Sequence, residues 1–397
     1  LYCKLLRSPH PHAIIRHIDA APALRRPGVV AVLTGKDLPI KFGILPVSQD
    51  EEALAVDRVR FVGDPVAAVA ALDEETAEAA LDDILVEYEV LPAILSVDDA
   101  LAEEKVQIHD YADRGNIHKF VSLEFGDIAA GFADADHIRE DIFYYEGNTH
   151  LPIEEHAAVA QYTGDGRLIL WTSTQTPHYV HRALAKVLQM PAAHIRVIAT
   201  PVGGGFGGKS DPFGHEIVVS KLAMITGRPV KITLTREEVF YAHRGRHPVL
   251  MWIKTGMKRD GAITAMHFKS FLDGGGYGSY GVASTYYTGA LQTVTYPIQN
   301  YKFEGLRAFT NKPPCGPKRG HGSVQPRFAF ECQLDELAEK LHIDPIELRR
   351  RNMLGADSTT INGQRVGSNG FAQCLDEVER ASAWKAWAGS ATGASRR

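Results

Sequence analysis

Cysteine is scarce in this chain. The 397 residues include four cysteines, and no two of them are close neighbours in the sequence: Cys3, Cys315, Cys332 and Cys374. Zinc sites and iron–sulfur clusters usually take closely spaced cysteine pairs, and disulfide scaffolds need many cysteines in a short chain. The sequence therefore argues against all three in this chain, and its thiols fit a reducing cytoplasm.

Long apolar runs and an excess of positive charge are also missing. No stretch approaches the roughly 18 apolar residues of a membrane-spanning helix, and residues 1–7 lack the apolar core of a signal peptide. Lys and Arg together number 43 against 48 Asp and Glu, so the composition does not indicate a nucleic-acid-binding surface. We therefore expect neither a membrane nor a nucleic acid as partner.

The order of the predicted elements indicates an α+β fold. A buried strand within residues 60–71, a helix with Asp73 as its N-cap and a strand at residues 86–90 predict a small domain over residues 1–110. Residues 111–135 show no sustained periodicity, so we interpret them as a linker. Residues 136–375 form a second, larger unit, in which residues 327–341 have the clearest helical pattern.

Both ends of the sequence are expected to be cut. The chain starts with Leu1 rather than an initiator Met. Residues 376–397 are expected to be a truncated or irregular tail, because residues 388–397 abandon the helical pattern for small and polar side chains.

A dense glycine cluster lies between a predicted strand and a predicted helix. Residues 203–210 read Gly-Gly-Gly-Phe-Gly-Gly-Lys-Ser, which fits both the phosphate-binding P-loop and the dinucleotide G-x-G-x-x-G pattern. The acidic residues that should accompany each pattern are poorly placed: residues 271–273 offer a weak P-loop arm, and Glu237 and Glu238 lie too far along for a Rossmann site. So many glycines indicate close approach of a ligand to the backbone, with a tight turn as the structural alternative. P-loop nucleotide binding stays open as a function.

Several segments together resemble the xanthine dehydrogenase and aldehyde oxidase family of molybdenum hydroxylases. Residues 8–13, 27–35 and 62–67 are similar to its N-terminal hammerhead domain. Residues 172–175, 203–209 and 318–322 are similar to the first half of its cofactor-binding region. Within the family, the likeness is greatest to the large subunit of 4-hydroxybenzoyl-CoA reductase, and it lies in residues 147–154, 209–216 and 244–248.

This resemblance implies an α/β hammerhead domain followed by the first half of a molybdopterin-binding α+β domain. It implies a molybdenum–molybdopterin cofactor in its cytosine dinucleotide form. The pterin dithiolene holds the metal, so no protein side chain is expected to be a direct metal ligand. The residues that it assigns to cofactor binding are Gln175, Gly205, Phe206, Gly207 and Arg319.

The resemblance also implies an activity. We expect a molybdenum-dependent oxidoreductase that hydroxylates, or reductively dehydroxylates, an aromatic substrate, with an iron–sulfur small subunit and an FAD-binding medium subunit as electron partners. Ser210 and His321 stand where purine-oxidising members carry a substrate-binding Glu and a ring-stacking Phe. Both are expected to contact substrate, and they favour a small aromatic, acyl-CoA or aldehyde substrate. Aldehyde, purine and CO dehydrogenase activities remain alternatives.

The family's catalytic base is absent from this sequence. By resemblance it is a Glu in a Gly-x-Gly-Glu stretch of a C-terminal half that these residues do not include, so we expect no catalytic residue in this chain and no activity from it alone. Glu154, Glu155 and Glu216 are the carboxylates nearest to the site motifs in sequence.

Overall fold

Two large β-sheets form the framework of the protein. The computed structural model describes residues 1–102, 106–110 and 114–386. The strands are β1 (Tyr2–Arg7), β2 (Ala13–Asp19), β3 (Val29–Thr34), β4 (Arg58–Val59), β5 (Pro65–Ala71), β6 (Leu85–Val90), β7 (Ile117–Phe125), β8 (His137–Tyr145), β9 (Ala157–Tyr162), β10 (Leu168–Thr172), β11 (Ile195–Ala199), β12 (Val230–Thr233), β13 (Val249–Met257), β14 (Ile263–Asp273), β15 (Tyr301–Ala308), β16 (Ser358–Thr359) and β17 (Arg365–Val366).

Helices cover the faces of these sheets. They are α1 (Ala21–Arg25), α2 (Glu74–Ala79), α3 (Val97–Leu101), α4 (Ile128–Ala133), α5 (Pro177–Val187), α6 (Gly214–Thr226), α7 (Arg236–Ala242), α8 (Gly281–Ala290), α9 (Val324–Leu341), α10 (Pro345–Asn352) and α11 (Phe371–Ala381). No helix in the described ranges is both long enough and apolar enough to cross a bilayer.

The first sheet joins the start of the chain to its middle. Its strand order is β11-β10-β9-β12-β1-β5-β3. β5 lies near its edge but is buried almost throughout, because its Ala-rich sequence lets neighbouring elements pack closely on both faces. α6 packs against β9 and β12, and its side chains Ile217 and Leu222 join Leu168, Leu170 and Val230 in one core.

The second sheet has the order β7-β15-β14-β13-β8. The inward side chains of β14, which include Met266, Phe268 and Leu272, pack in one core with Phe330 and Leu334 of α9. In β14 alternate residues are apolar and face one side of the sheet. In α9 apolar residues recur every three or four positions and form one face of the helix, and the two apolar surfaces pack together. α8 packs against β15 and also contacts α9, the helix that follows the loop of residues 316–323.

Two features of the fold differ from the sequence expectations. Residues 111–135, interpreted as a linker, contain β7 and α4. β7 pairs with β15, which lies about 180 residues later in the chain. The local sequence of β7 alone therefore did not identify it as a strand. The expected tail begins inside α11, whereas residues 387–397 lie outside the described residues.

The expected division into domains stays a prediction. The first sheet contains strands from both of the expected units. β1 belongs to the first unit and runs parallel to β12 of the second, with Tyr2 opposite Lys231. The helix expected after Asp73 is present as α2, and the Asp73 side chain accepts from the N–H of Thr76 as its N-cap.

A buried ion pair network also joins the two units. Arg244 lies just after α7, and its guanidinium pairs with Glu51 from the first unit and with Asp211, whose Oδ2 is 3.1 Å from Nε. The three side chains are 5%, 7% and 0% exposed. Two buried carboxylates therefore depend on one cation for their counter-charge.

We predict that Arg244→Met lowers the free energy of unfolding by about 3–5 kcal/mol, because it leaves Glu51 and Asp211 buried without a positive partner. Urea unfolding followed by circular dichroism measures the change. Arg196→Met on the edge strand β11 is the matched control, because Arg196 is exposed and has no ion pair within the described residues. Its effect should stay within about 0.5 kcal/mol. Equal unfolding midpoints for the two variants would contradict the prediction.

Candidate functional site

Gln175 lies in the loop between β10 and α5, and its side-chain amide has a fixed orientation. Its Oε1 accepts hydrogen bonds from the peptide N–H of Gly207 at 3.0 Å and of Lys209 at 3.3 Å. Because both partners are donors, the oxygen must be the atom that faces them, and Nε2 faces away. Nε2 makes no hydrogen bond to a described residue, so it is left as a free donor on an exposed side chain.

The glycines of residues 203–210 are required by close contacts. A Cβ on Gly205 would stand 2.4 Å from Oε1 of Gln175, and a Cβ on Gly208 would stand 1.9 Å from the ring of His243. Phe206 has a positive φ of 52°, which turns its backbone sharply. The loop is closed by hydrogen bonds from Gly208 N to Gly205 O and from Ser210 N to Gly207 O.

The cofactor residues expected from the sequence differ in which atoms are available. The peptide N–H groups of Gly205 and Phe206 donate to no residue in the described part of the chain. Neither does the N–H group of Gly204. The N–H of Gly207 is already engaged by Gln175. Within the described residues, the free donors of the loop before Gly207 are therefore the amides of Gly204, Gly205 and Phe206.

Lys209 does not point toward the free donors. Its side chain is fully buried, and Nζ pairs with Oε2 of Glu154 at 2.5 Å. The same carboxylate oxygen accepts from Gly203 N at 2.9 Å, so Glu154 holds both ends of the loop. A P-loop lysine must reach the phosphates of a nucleotide, and this lysine is bound inside the protein instead.

Arg319 is brought beside the glycine loop by the backbone. Its N–H donates to the carbonyl oxygen of Phe206 at 2.9 Å, while its side chain is exposed and has no ion pair in the described ranges. Gln175, the free amides and Arg319 thus come from three separate segments and lie together. All of them present donors or positive charge.

Buried histidines support this loop from beneath. His156 Nε2 lies 2.9 Å from His243 Nδ1, His243 Nε2 lies 2.6 Å from His150 Nδ1, and His150 Nε2 lies 2.7 Å from Pro317 O. A carbonyl only accepts, so each ring must donate through Nε2 and accept through Nδ1 along this chain. Burial lowers the pKa of His150 to about 4 and that of His243 to about 2, which keeps the chain neutral.

Ser210 and His321, expected on the substrate side, have different surroundings. The backbone carbonyl of Ser210 accepts from Thr176, whereas its hydroxyl has no hydrogen bond to a described residue. His321 bonds to Ser284 and packs against the rings of Tyr280 and Tyr287, with centroids 5.3 and 5.8 Å away. Burial lowers the pKa of His321 to about 4, so its ring is neutral at pH 7.

The three carboxylates considered as bases are all engaged. Glu154 binds Lys209, Glu155 pairs with Arg236 at 3.0 Å, and Glu216 accepts from Thr172 at 2.7 Å. Glu216 is buried in α6, which raises its pKa to about 7.

Sequence reasoning missed several of these residues. Neither the Glu154–Lys209 pair nor the aromatic contacts of Tyr280 and Tyr287 were identified, because each depends on segments far apart in the chain. The sequence contains the pair Glu154-Glu155 and the tyrosines Tyr280 and Tyr287. Their spacing matches no pattern that would predict these contacts.

Comparison with known proteins identifies the two domain types in this chain. Residues 108–353 match the molybdopterin cofactor-binding domain, and residues 1–92 match the aldehyde oxidase and xanthine dehydrogenase a/b hammerhead domain. These matches confirm the expected fold class.

Individual relatives cover almost the whole chain. It is 37% identical over 383 residues to a probable xanthine dehydrogenase subunit of Bacillus subtilis, covering 96% of this chain and 51% of that one. It is 37% identical to the nicotinate dehydrogenase large molybdopterin subunit of Eubacterium barkeri, covering 95% of this chain and 88% of that one.

A solved structure shows the same arrangement. The aldehyde oxidoreductase of Desulfovibrio gigas superposes with a TM-score of 0.91 at 31% identity, covering 100% of this chain and 44% of that chain. The chain thus spans about half the length of two of these three relatives. The chain belongs to the xanthine dehydrogenase and aldehyde oxidase family of molybdopterin-binding oxidoreductases.

Proposed function

We propose that the chain forms one wall of a molybdenum–molybdopterin site, in an enzyme that hydroxylates an aromatic ring carbon or, in the reverse sense, reductively removes a ring hydroxyl as 4-hydroxybenzoyl-CoA reductase does. The observation that carries the proposal is the set of unpaired donors: Nε2 of Gln175, the amides of Gly205 and Phe206, and the guanidinium of Arg319. Such a set fits a cofactor rich in anionic oxygen and sulfur atoms.

When bound, the cofactor supplies the redox chemistry. The residues of this chain bind and orient it. Gln175 offers a donor whose direction is fixed by two backbone hydrogen bonds, and Arg319 offers positive charge. The neutral histidines that pack against the loop hold Pro317 in place without adding charge near the free donors.

The side chains around His321 support an aromatic substrate. Tyr280, Tyr287 and the neutral ring of His321 form a group of ring faces and edges next to the Arg319 loop. Flat aromatic molecules bind well against such rings. Ser210 contributes a free hydroxyl in place of a carboxylate, which removes the charge that a purine-binding Glu would supply.

By family resemblance, we further propose the cytosine dinucleotide form of the cofactor, an iron–sulfur small subunit and an FAD-binding medium subunit as partners. The names of the relatives agree in part, because two of them are called subunits and one of these a molybdopterin subunit. The catalytic base is proposed to lie outside these residues, since Glu154, Glu155 and Glu216 are all engaged elsewhere.

We predict that the complex purified through this chain from its native host contains molybdenum, measured by elemental mass spectrometry, and a pterin, measured by fluorescence after oxidation. Iron should be present in the same sample if the iron–sulfur subunit is a partner. A preparation with all its subunits present and no molybdenum would contradict the proposed function.

A second prediction concerns Gln175. Gln175→Glu keeps the oxygen that accepts from Gly207 and Lys209 but replaces the free donor with negative charge, so we expect the molybdenum content of the complex to fall about tenfold or more. Gln373→Glu on exposed α11 makes the same chemical change away from the site and should leave the molybdenum content unchanged. Retention of the cofactor by both variants would show that Gln175 does not bind it.

Lys209 gives a third prediction, which separates this proposal from P-loop nucleotide binding. Lys209→Met should lower the free energy of unfolding by about 1–3 kcal/mol, because Glu154 and Gly203 lose the ion pair that organises them. Calorimetric titration of the wild-type chain with MgATP should show no binding. Micromolar binding that disappears in Lys209→Met would support the P-loop instead.

A further inference from the structure

A second glycine-rich loop, residues 274–281, lies between β14 and α8. Residues 272–279 are all buried, and Tyr280 is the first residue after them that is partly exposed. The centroid of the Tyr280 ring lies 5.3 Å from that of His321. The buried loop therefore places one side chain, that of Tyr280, in the group of rings beside the Arg319 loop.

Side chains of the first unit bind this second loop directly. The N–H of Gly278 donates to both carboxylate oxygens of Asp50, at 2.9 and 3.1 Å. The hydroxyl of Tyr277 donates to Oδ2 of Asp64 at 3.0 Å, and both carboxylates are buried. A Cβ on Gly278 would stand 1.8 Å from Oγ of Ser48, so the loop and the first unit touch with no space for a side chain between them.

Ser279 has an unusual backbone conformation. Its φ of 45° lies in the left-handed region, which costs free energy in a residue other than glycine unless surrounding contacts hold it there. The contact here is a hydrogen bond from Oγ of Ser279 to Oδ2 of Asp211, and both side chains are buried. The next residue, Tyr280, is the N-cap of α8. The conformation of Ser279 therefore sets the direction in which Tyr280 leaves the loop.

Asp211 connects Ser279 to the first unit. The carboxylate oxygen that accepts from Ser279 also accepts from Nε of Arg244 at 3.1 Å. The guanidinium of Arg244 pairs in turn with Glu51 of the first unit. Asp211 itself follows directly after the first glycine loop. The position of the tyrosine after Ser279, relative to that glycine loop, thus depends on a buried path that begins at Glu51.

We propose that the first unit takes part in substrate selection. Asp50 and Glu51 are positioning residues, because they fix the loop of residues 274–281 from the buried side and touch no substrate themselves. Tyr280 is the specificity-determining residue, and its ring contacts the ring of an aromatic substrate. This inference rests on the proposed function, and it adds that two carboxylates of the first unit determine how well the aromatic ring is held.

The test uses the full chain with 3-fluorotyrosine in place of its 14 tyrosines and follows the 19F NMR spectrum. Tyr280→Phe identifies the signal of Tyr280. The probes are 4-hydroxybenzamide and its saturated counterpart, 4-hydroxycyclohexanecarboxamide. We expect only the aromatic probe to shift the Tyr280 signal saturably, because a tyrosine ring binds another flat ring through stacked or edge contacts.

Ser279→Gly separates positioning from stability. Glycine adopts a φ of 45° without strain, which offsets the lost hydrogen bond, so the urea midpoint of unfolding should stay close to that of the wild type. Because glycine cannot bond to Asp211, we expect the Tyr280 signal to move and the affinity for 4-hydroxybenzamide to fall about three- to tenfold. An unchanged signal with unchanged affinity would mean that Ser279 serves stability alone, and would overturn the proposal.

The two carboxylates of the first unit are tested with conservative variants. Asp50→Asn keeps an oxygen for the neutral N–H of Gly278 and should behave like the wild type, whereas Asp50→Ala removes the acceptor and should act like Ser279→Gly. The partner of Glu51 is a cation, so Glu51→Gln should move the Tyr280 signal although it keeps the volume of the side chain. If Asp50→Ala fails to fold, Glu51→Gln still decides the proposal.

Glu87→Gln makes the same chemical change as Glu51→Gln on exposed β6 of the same unit, and it should leave the signal and the affinity unchanged. Equal effects of these two variants, or wild-type behaviour of both Asp50→Ala and Glu51→Gln, would overturn the role of the first unit. Equal shifts with both probes, or none, would overturn the role of Tyr280. Molybdenum in the purified complex alongside any of these results leaves the proposed function intact while rejecting this inference.

Discussion

The carbonyl oxygen of Gln175 accepts from two peptide N–H groups, and the shape of the site depends on this pair of hydrogen bonds. They close the glycine loop onto the end of β10, and the close contact at Gly205 leaves no room for any side chain there. The same bonds use the oxygen and leave the amide nitrogen free. One contact therefore both folds the loop and leaves a donor rather than an acceptor exposed beside it.

Lys209 shows how a local motif can mislead. Eight residues satisfy the P-loop pattern, yet the lysine is directed inward because Glu154, 55 residues earlier, supplies a buried carboxylate. Lys209 stabilises the fold with the charge that a P-loop would offer to a nucleotide. The pattern described the backbone correctly, as a glycine turn with amides that are left without partners among the described residues, and failed only for the side chain, whose partner lies outside the motif.

Much of the site could be predicted from the sequence because its parts are local. Gln175, residues 203–210 and Arg319 each stand in a short segment of recognisable composition. The clear periodicity of α9 likewise predicted this helix close to its true bounds. Contacts between segments could not be predicted. No local spacing encodes a contact whose two partners lie far apart in the chain. Examples are the hydrogen bond from Arg246 to the carbonyl oxygen of Arg319, the chain of three histidines and the pairing of β7 with β15.

The parallel pairing of β1 with β12 also has a consequence for how the chain is made. The antiparallel neighbour of β1, strand β5, follows it within about 70 residues, but its other neighbour, β12, is synthesised only after residue 229. Contacts of such large sequence separation form slowly. Until then one edge of β1 has no strand beside it, and an unpaired strand edge invites pairing with other chains. Translation that pauses before β12 would thus leave this edge of β1 free to pair with other chains.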